Sequence, residues 1–452
     1  MIPRILLGAV VSAVVGGTAL AAVSTEEAKQ LGAELTGFGA IKAGNADGLI
    51  PEYAGGSITP PADYKPGSGQ YPNPFADEQP LFTITAANME QYVDRLDEGS
   101  QALLKRWPDT YKMHVYPTHR TATYPDWVLE NTRKNATTAK LVNEQGDGVE
   151  GAYGGIPFPI PQNGLEVLWN HVLYWQPLAQ EGRSPGYLID RSGSVTTLSV
   201  MDVYYETQYY NPDNTALKGP YHKLRALARA PARVAGEGYL THYPINHAEG
   251  SDTSWAYSPG QRRVRMAPEF KYDTPSPSYG GGIFFDEIFL FAGRPDRFDW
   301  KLVGKKEIFV PYNAYDLVNS TPEQLLGEQH VNPEQMRWEL HRVWEVEATL
   351  KDGARHAYSS RKFYFDEDSW KIVLSSGFDQ AGELFRVGNN ACYQVYDPKD
   401  QYMTCPFTVY DLNRSQYVVT PVFGGKGGFL RPSDLLPGVA TTSTGLQGSG
   451  IR

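Results

Sequence analysis

From residue 337 onward the chain alternates strictly between polar and apolar positions. Trp338, Leu340, Trp344, Val346, Ala348 and Leu350 interleave with Arg337, Glu339, His341, Glu345, Glu347 and Thr349, and only Arg342 breaks the apolar face. A period of two predicts a half-buried strand. Lys351-Asp352-Gly353 turns the chain into 356–365, and Asp366-Glu367-Asp368 turns it again into 370–375. Consecutive hairpins of this kind predict antiparallel pairing. A further strand-rich region begins at 188–208. Helical spacing is confined to fewer stretches. Met89, Val93, Leu96, Leu103 and Leu104 fall near one face of 88–107, and Leu165, Leu168, Trp169, Val172 and Trp175 do so behind Asn163 as a cap. Residues 221–229 read as a third helix stopped by Pro231, and 24–33 as a short one capped by Ser24 or Thr25. The expected fold class is mainly β with α: a strongly curved antiparallel sheet, a half-barrel, running from about 188 to 420. Helices 86–107, 163–175 and 221–229 should cover its concave side, because a one-sided apolar sheet must bury that face.

The ends of the chain break the pattern. Met1 to Arg4 lead into the apolar run Ile5–Val15 and then into Gly16–Ala22, the layout of a secretory signal peptide cleaved after Ala21 or Ala22. The run is too short to cross a bilayer comfortably. Residues 1–21 are therefore expected to be removed on export, placing the mature chain in an oxidising compartment such as a bacterial periplasm. Peripheral association with the outer membrane is compatible with that placement. Between 44 and 80, prolines alternate with Gly and Tyr and leave no period to follow, so 22–85 is expected to wrap over a folded body, pinned by Tyr53, Tyr64, Tyr71 and Phe75. The folded body itself is expected at 86–420, followed by a Gly/Ser-rich tail at 421–452.

Composition narrows the function. A net charge of -10 argues against nucleic-acid binding, which needs a phosphate-neutralising surface. With 9 Trp and 29 Tyr the chain has aromatics enough to line a cleft, although most are expected in the core. Its two cysteines, Cys392 and Cys405, flank a turn-rich loop and are expected to form a structural disulfide, since a metal would want more ligands. Neither a nucleophile elbow, a zinc-protease motif nor a dinucleotide fingerprint occurs. Gly424 to Gly428 lacks the spacing of a phosphate loop. No catalytic residue, metal ligand or cofactor is assigned. Asp286 and Glu287, in the apolar run 282–291, are neighbours on an expected strand and would point to opposite faces, so they cannot jointly flank a glycosidic bond. Arg263 and Arg265 share one face of an expected strand. Two readings stand for them: guanidinium forks receiving an anionic headgroup, or ion pairs within the sheet, with Asp286 or Glu287 as partners. Trp255, Tyr257, Phe284, Asp286, Trp338 and Trp344 complete the residues expected to meet a ligand.

Several longer strings carry a resemblance. Trp255-Ala-Tyr-Ser-Pro-Gly-Gln-Arg-Arg-Val-Arg265, Asp296 to Glu307, Val310 to Asn313, His341 to Glu347 and Phe365 to Trp370 are similar to the secreted bacterial family known as domain of unknown function 1329. The resemblance implies a relationship to periplasmic lipoprotein carriers and their outer-membrane receptors, with a curved sheet closed by helices around a greasy cavity. It further implies an RND-type inner-membrane transporter and an outer-membrane protein as partners, and it supplies no catalytic residues. The chain departs from the receptors in having no lipidated Cys. The expected function is periplasmic binding or carriage of a lipid-like or hydrophobic molecule. A hydrolase acting on carbohydrate or lipid ester, and a structural scaffold of an envelope assembly, are the alternatives.

Overall fold

The computed structural model describes residues 23–267, 271–424 and 427–449. The expected signal peptide and the centre of the 424–428 loop lie outside these residues. The strands in chain order are β1 (Phe82–Ile84), β2 (Met113–Val115), β3 (Lys140–Leu141), β4 (Val149–Glu150), β5 (Ala179–Ile189), β6 (Val195–Glu206), β7 (His222–Ala230), β8 (Gly238–Tyr243), β9 (Thr253–Ser258) and β10 (Arg263–Met266). They continue with β11 (Phe298–Pro311), β12 (Trp338–Leu350), β13 (Ser360–Asp366), β14 (Ile372–Phe378), β15 (Leu384–Asn390), β16 (Tyr393–Tyr396), β17 (Gln401–Thr404), β18 (Phe407–Asp411), β19 (Gln416–Thr420) and β20 (Phe429–Pro432). The helices are α1 (Thr25–Ala28), α2 (Glu98–Arg106), α3 (Asp126–Thr138), α4 (Gly164–Val172), α5 (Tyr315–Asn319), α6 (Pro322–Leu325) and α7 (Ser443–Ser449).

Sixteen of the strands form one open sheet in the order β1-β2-β12-β13-β14-β15-β18-β19-β5-β6-β7-β8-β9-β10, with β11 added on β12 and β20 on β5. Among the described residues, every pairing between these strands is antiparallel except the contact of β2 with β12 at Val115 and Trp338. The fold class expected from the alternation holds: mostly β, few helices, and a large sheet that does not close. Register shifts at Leu302/Gly304, Tyr364/Phe365, Gly377/Phe378, Gly186/Tyr187 and Val200/Met201 bend and twist the strands locally.

The middle of the sheet is buried on both faces, not one. Along β14 and β15 nearly every residue is buried. On one face Tyr364, Leu374, Val387, Tyr410 and Tyr417 join a core that includes Leu103 and Leu104 of α2. On the other, Val346, Phe363, Ile372, Val409 and Val418 join Val167 and Leu168 of α4 with Phe38, Ile283 and Leu290. The two helices thus sit on opposite sides, whereas a shared concave side was expected. The predicted helix at 88–107 is interrupted: a 3-10 turn over Met89–Arg95 ends at Leu96, and the Asp97 carboxylate caps α2 by accepting from the Gly99 and Ser100 amides. Asn163 caps α4 as expected, accepting from the Glu166 amide. Ser24 and Glu27 form a reciprocal capping box on α1.

The expected helix at 221–229 is strand β7. His222, Leu224, Ala226 and Ala228 project to one face and Lys223, Arg225 and Leu227 to the other. Pairing with β6 and β8 outweighs the high helix propensity of its Leu, Ala and Arg residues. The expected strand around 282–291 is a kinked 3-10 segment, Phe285–Leu290, with Phe289 at φ 55. Cys392 and Cys405 are bonded, with Cα atoms 4.1 Å apart, at the base of the β16–β17 hairpin. That hairpin rises between β15 and β18, neighbours in the middle of the sheet, and not at an edge as the sequence suggested.

The amino-terminal segment lies along this body. Tyr53 packs edge-on to Phe38, Tyr64 and Tyr71 pack against Tyr396, and Phe75 stacks on His119. At the other end, β20 pairs with β5, and Leu446 of α7 is buried beside Leu240 and Tyr257.

Candidate functional site

Beyond β5 the burial changes. In β6 to β9 most residues are only partly buried, in contrast to the sealed strands of the middle. The register places Tyr205, Leu224 and Thr241 side by side, with His222 opposite Tyr243 and Ala226 opposite Tyr239, all on one face. On the other face Tyr204, Leu240 and Tyr257 are buried under the C-terminal segment, where the Tyr204 hydroxyl accepts from the Leu436 amide. One face of this wing is therefore covered and the other is partly open.

The open face is aromatic. His222 lies 5.7 Å from Tyr205 and 5.7 Å from Tyr243, ring centre to ring centre, and 6.0 Å from Tyr221. Thr207 bonds its Nδ1 at 3.1 Å and fixes the ring. Tyr279 approaches from the 3-10 turn Pro277–Tyr279 and sits 6.0 Å from Phe407 on the adjoining part of the sheet. Phe289, 41% exposed, lies 5.7 Å from the same Phe407 ring. Tyr174 enters just beyond the C-terminus of α4. Tyr174, Tyr205, Tyr221, His222, Tyr243 and Tyr279 all keep part of their surface open to solvent. Yet burial pushes every one of these phenols up and the imidazole down to about 4. Partial access combined with strong desolvation marks side chains that line a concavity.

Among the described residues, a buried cation faces this lining. Lys371 is 6% exposed, and its Nζ lies 3.1 Å from the centre of the Tyr174 ring. No carboxylate among the described residues pairs with it, and burial alone drives its ammonium well below the usual lysine value. The same charge adds to the burial that holds His171 at about 3 and His222 at about 4. Local structure explains its position. Trp370, held at φ 59 at the end of the Asp366–Trp370 turn, donates its indole N–H to the Phe38 carbonyl, and the Ile372 amide donates to Nδ1 of His171 on α4. Lys371 is clamped between these two anchors. A left-handed backbone at a bulky residue is strained and persists only where its surroundings hold it.

The residues expected to bind ligand are dispersed. Arg263 and Arg265 are exposed on β10, in register with Ser258 and Ala256, on the same face as Tyr205 and Tyr239. Trp255 and Tyr257 project from the opposite face into the cluster with Leu446. Asp286 does not partner the Arg263–Arg265 pair. It accepts from His356 Nε2 at 2.9 Å and Arg361 Nη1 at 3.0 Å, which together outweigh its burial and hold its carboxyl below the usual range. Glu287 accepts from the Tyr358 hydroxyl and faces Arg386, whose guanidinium also covers Phe284 at 4.6 Å. Trp338 is a sealed core residue, and Trp344 stacks on Trp370 beneath Lys305. The sequence reading missed Lys371, Tyr174, Tyr205, His222, Tyr243 and Tyr279. A lysine between Trp370 and Ile372 in an apolar run was the available sign, and the helix assigned to 221–229 hid His222.

Two polar clusters have the look of chemistry. His341, Asp366 and Asp368 lie close enough to share a metal ion. However, Arg120 grips Asp368 through two bonds of 2.8 and 2.6 Å, and His341 already bridges Glu339 and Asp366. The donors are engaged in ion pairs, which is the arrangement of a structural network. A cleft bounded by Glu287, Tyr358, Arg361 and Arg386, and another near Phe158 and Glu166, each hold only about 10 Å³, far below the ~300 Å³ at which ligand pockets begin.

No helix among the described residues is long and apolar enough to cross a membrane. An uncharacterised protein of Pseudomonas aeruginosa is 44% identical over 409 residues, covering 88% of each chain. Among solved structures, a DUF1329 family protein from Desulfovibrio piger is 16% identical and aligns with 63% of this chain and 97% of its own, at a TM-score of 0.42. A LolA-superfamily protein from Nitrosomonas europaea is 10% identical and aligns with 62% and 98%, at a TM-score of 0.36. Residues 83–434 match the family described as protein of unknown function DUF1329, and with that match and the Pseudomonas relative the chain belongs to this family.

Proposed function

We propose that this protein is a periplasmic binding or carrier protein for a lipid-like or hydrophobic molecule, working beside an RND-type transporter and an outer-membrane protein, and that it binds without turnover. The observation that carries this reading is the open aromatic face of β6 to β8. Tyr205, His222, Tyr221 and Tyr243 pack ring to ring there, and these four with Tyr174 and Tyr279 all keep part of their surface open to solvent. Large apolar surfaces with a few placed polar groups are what hydrophobic ligands select. Around the packed middle of the sheet the buried carboxylates of Asp368, Glu339 and Asp286 are each committed to an arginine, which supports binding over hydrolysis.

Native mass spectrometry with organic extraction of protein purified from its own host tests the reading. A co-purifying hydrophobic species, together with saturable binding of the neutral dye N-phenyl-1-naphthylamine, is expected. Protein that carries nothing and fails to bind the dye would overturn the proposal and favour a scaffold.

A further inference from the structure

We infer that the concavity is built for an anionic amphiphile: a hydrophobic molecule bearing a single carboxylate or phosphate, with that group seated on Lys371 and the hydrophobic body along the tyrosine face. This rests on the proposed binding role and specifies its ligand.

A lysine buried without a carboxylate is costly, and such groups are rare outside functional sites. Lys371 is 6% exposed, and the one described partner of its ammonium is the face of Tyr174 at 3.1 Å. A ring face steadies a cation through its quadrupole but leaves the hydrogen-bonding valence of the ammonium unused. The other groups that feel its charge, His171 and His222, are held neutral and compete for nothing. The nearby acids are occupied elsewhere. Asp366 holds His341 and Ser369, Glu367 holds Lys305, Asp368 holds Arg120, and Asp252, which acts on Tyr221 and Tyr243, faces His247. An incoming anion would meet an unpaired cation in a poorly solvated place, where a charge-assisted hydrogen bond is strong.

The rim agrees in sign. Arg263 and Arg265 stand on the same face of the wing, at its outer strand, exposed and without an ion-pair partner among the described residues. In a chain of net charge -10 this is a local reversal suited to steering an anion toward the face. The tyrosines contribute amphipathic walls that pack a hydrocarbon body at low entropic cost.

Displacement of N-phenyl-1-naphthylamine decides the matter, using four ligands of one chain length below their micellar concentrations: laurate, dodecyl phosphate, dodecanol and dodecyltrimethylammonium. Laurate or dodecyl phosphate is expected to displace the dye at least ten-fold more tightly than dodecanol, and the cation least well. The tighter of the two anions tells carboxylate from phosphate. Lys371→Met should remove the anion's advantage while leaving dodecanol binding and the circular dichroism spectrum unchanged. Arg263→Gln/Arg265→Gln should slow anion association several-fold. If dodecanol and the cation bind as tightly as laurate, or if Lys371→Met binds laurate like the parent, the anionic assignment fails while the binding role stands. If the dye and all four ligands fail to bind, both fall together.

Discussion

The ammonium of Lys371 rests against the face of the Tyr174 ring, 3.1 Å from its centre, and these two residues join the end of α4 to the start of β14. A cation in that place is a liability to folding. Burial holds its ammonium well below the usual lysine value, so the unfolded chain binds the proton more readily than the native one.

Lys371→Met should therefore raise the melting temperature by a few degrees at neutral pH. The penalty is complete below the lowered native value and disappears as pH rises toward the unfolded one. The gain over the parent should shrink accordingly in melts taken from pH 6 to pH 10. A variant less stable than the parent throughout would mean that the lysine is structural.

His341 should give stability an alkaline limb above pH 6.5, which the relief of the Lys371 penalty over the same range partly offsets in the parent. Burial pushes the His341 imidazolium down, but the hydrogen bonds it donates to Asp366 and Glu339 outweigh that and raise His341 to about 9. Its contribution is full below the unfolded value near 6.5 and is lost as pH rises through about 9. On the acid side, burial lowers His171 to about 3 and His222 and His247 to about 4. These rings stay neutral in the native state, so stability falls as pH drops from 6.5 toward 4. Burial also raises Asp97, to about 6, and the carboxyls of Glu166 and Asp400, which opposes this trend. Denaturant unfolding of Lys371→Met across pH 4–10 should show both limbs, and adding His341→Gln should remove the alkaline one.

Arg120→Met should be among the most damaging single substitutions, at about 3–5 kcal/mol, because it leaves Asp368 buried and unpaired. The partner is sealed, and the pair is two-pronged. Removing both charges with Arg120→Met/Asp368→Leu should recover much of the loss. Urea unfolding of the two variants measures the difference, and equal losses would show that Arg120 acts through its contacts with the carbonyls of Ile41 and Lys42.

Reducing Cys392–Cys405 should cost about 3 kcal/mol by the chain-entropy argument for a loop of this length. The hairpin it closes packs on Tyr71, Tyr64 and Tyr315. Hydrogen exchange should therefore quicken in 64–75, 311–319 and 391–406 while β12 to β14 stay protected. Faster exchange spread evenly over the whole sheet would show that the bridge supports the fold globally.

The meander from β12 to β14 could be read from sequence because Trp338 to Leu350 alternate and their turns carry Asp and Gly. The burial of both faces could not. Polar residues such as Ser376 and Asn389 look solvent-facing in sequence yet are interior, opposite α2 and within the sheet. Residues 221–229 misled because Leu, Ala and Arg favour helix intrinsically, while the neighbours that make them a strand, β6 and β8, are supplied by tertiary structure. The run 282–291 has no period, so it could not be distinguished from a buried strand. The candidate site shared that fate: Tyr174, Lys371, His222 and Tyr279 come from four separate segments, and no spacing links them.

The position of β5 bears on how the chain reaches this state. Its partners are β6, which follows it directly, and β19 with β20, which arrive almost at the end of the chain. While the polypeptide is being delivered, Tyr187 to Ile189 pair with β6 on one side alone until Tyr417 to Val419 appear, so the aromatic wing forms with a raw strand edge beside it. Pairings of such long sequence separation close slowly, and an unpaired edge recruits other strands in the meantime. A chain truncated before residue 416 should be captured by holdases or aggregate, however sound its wing.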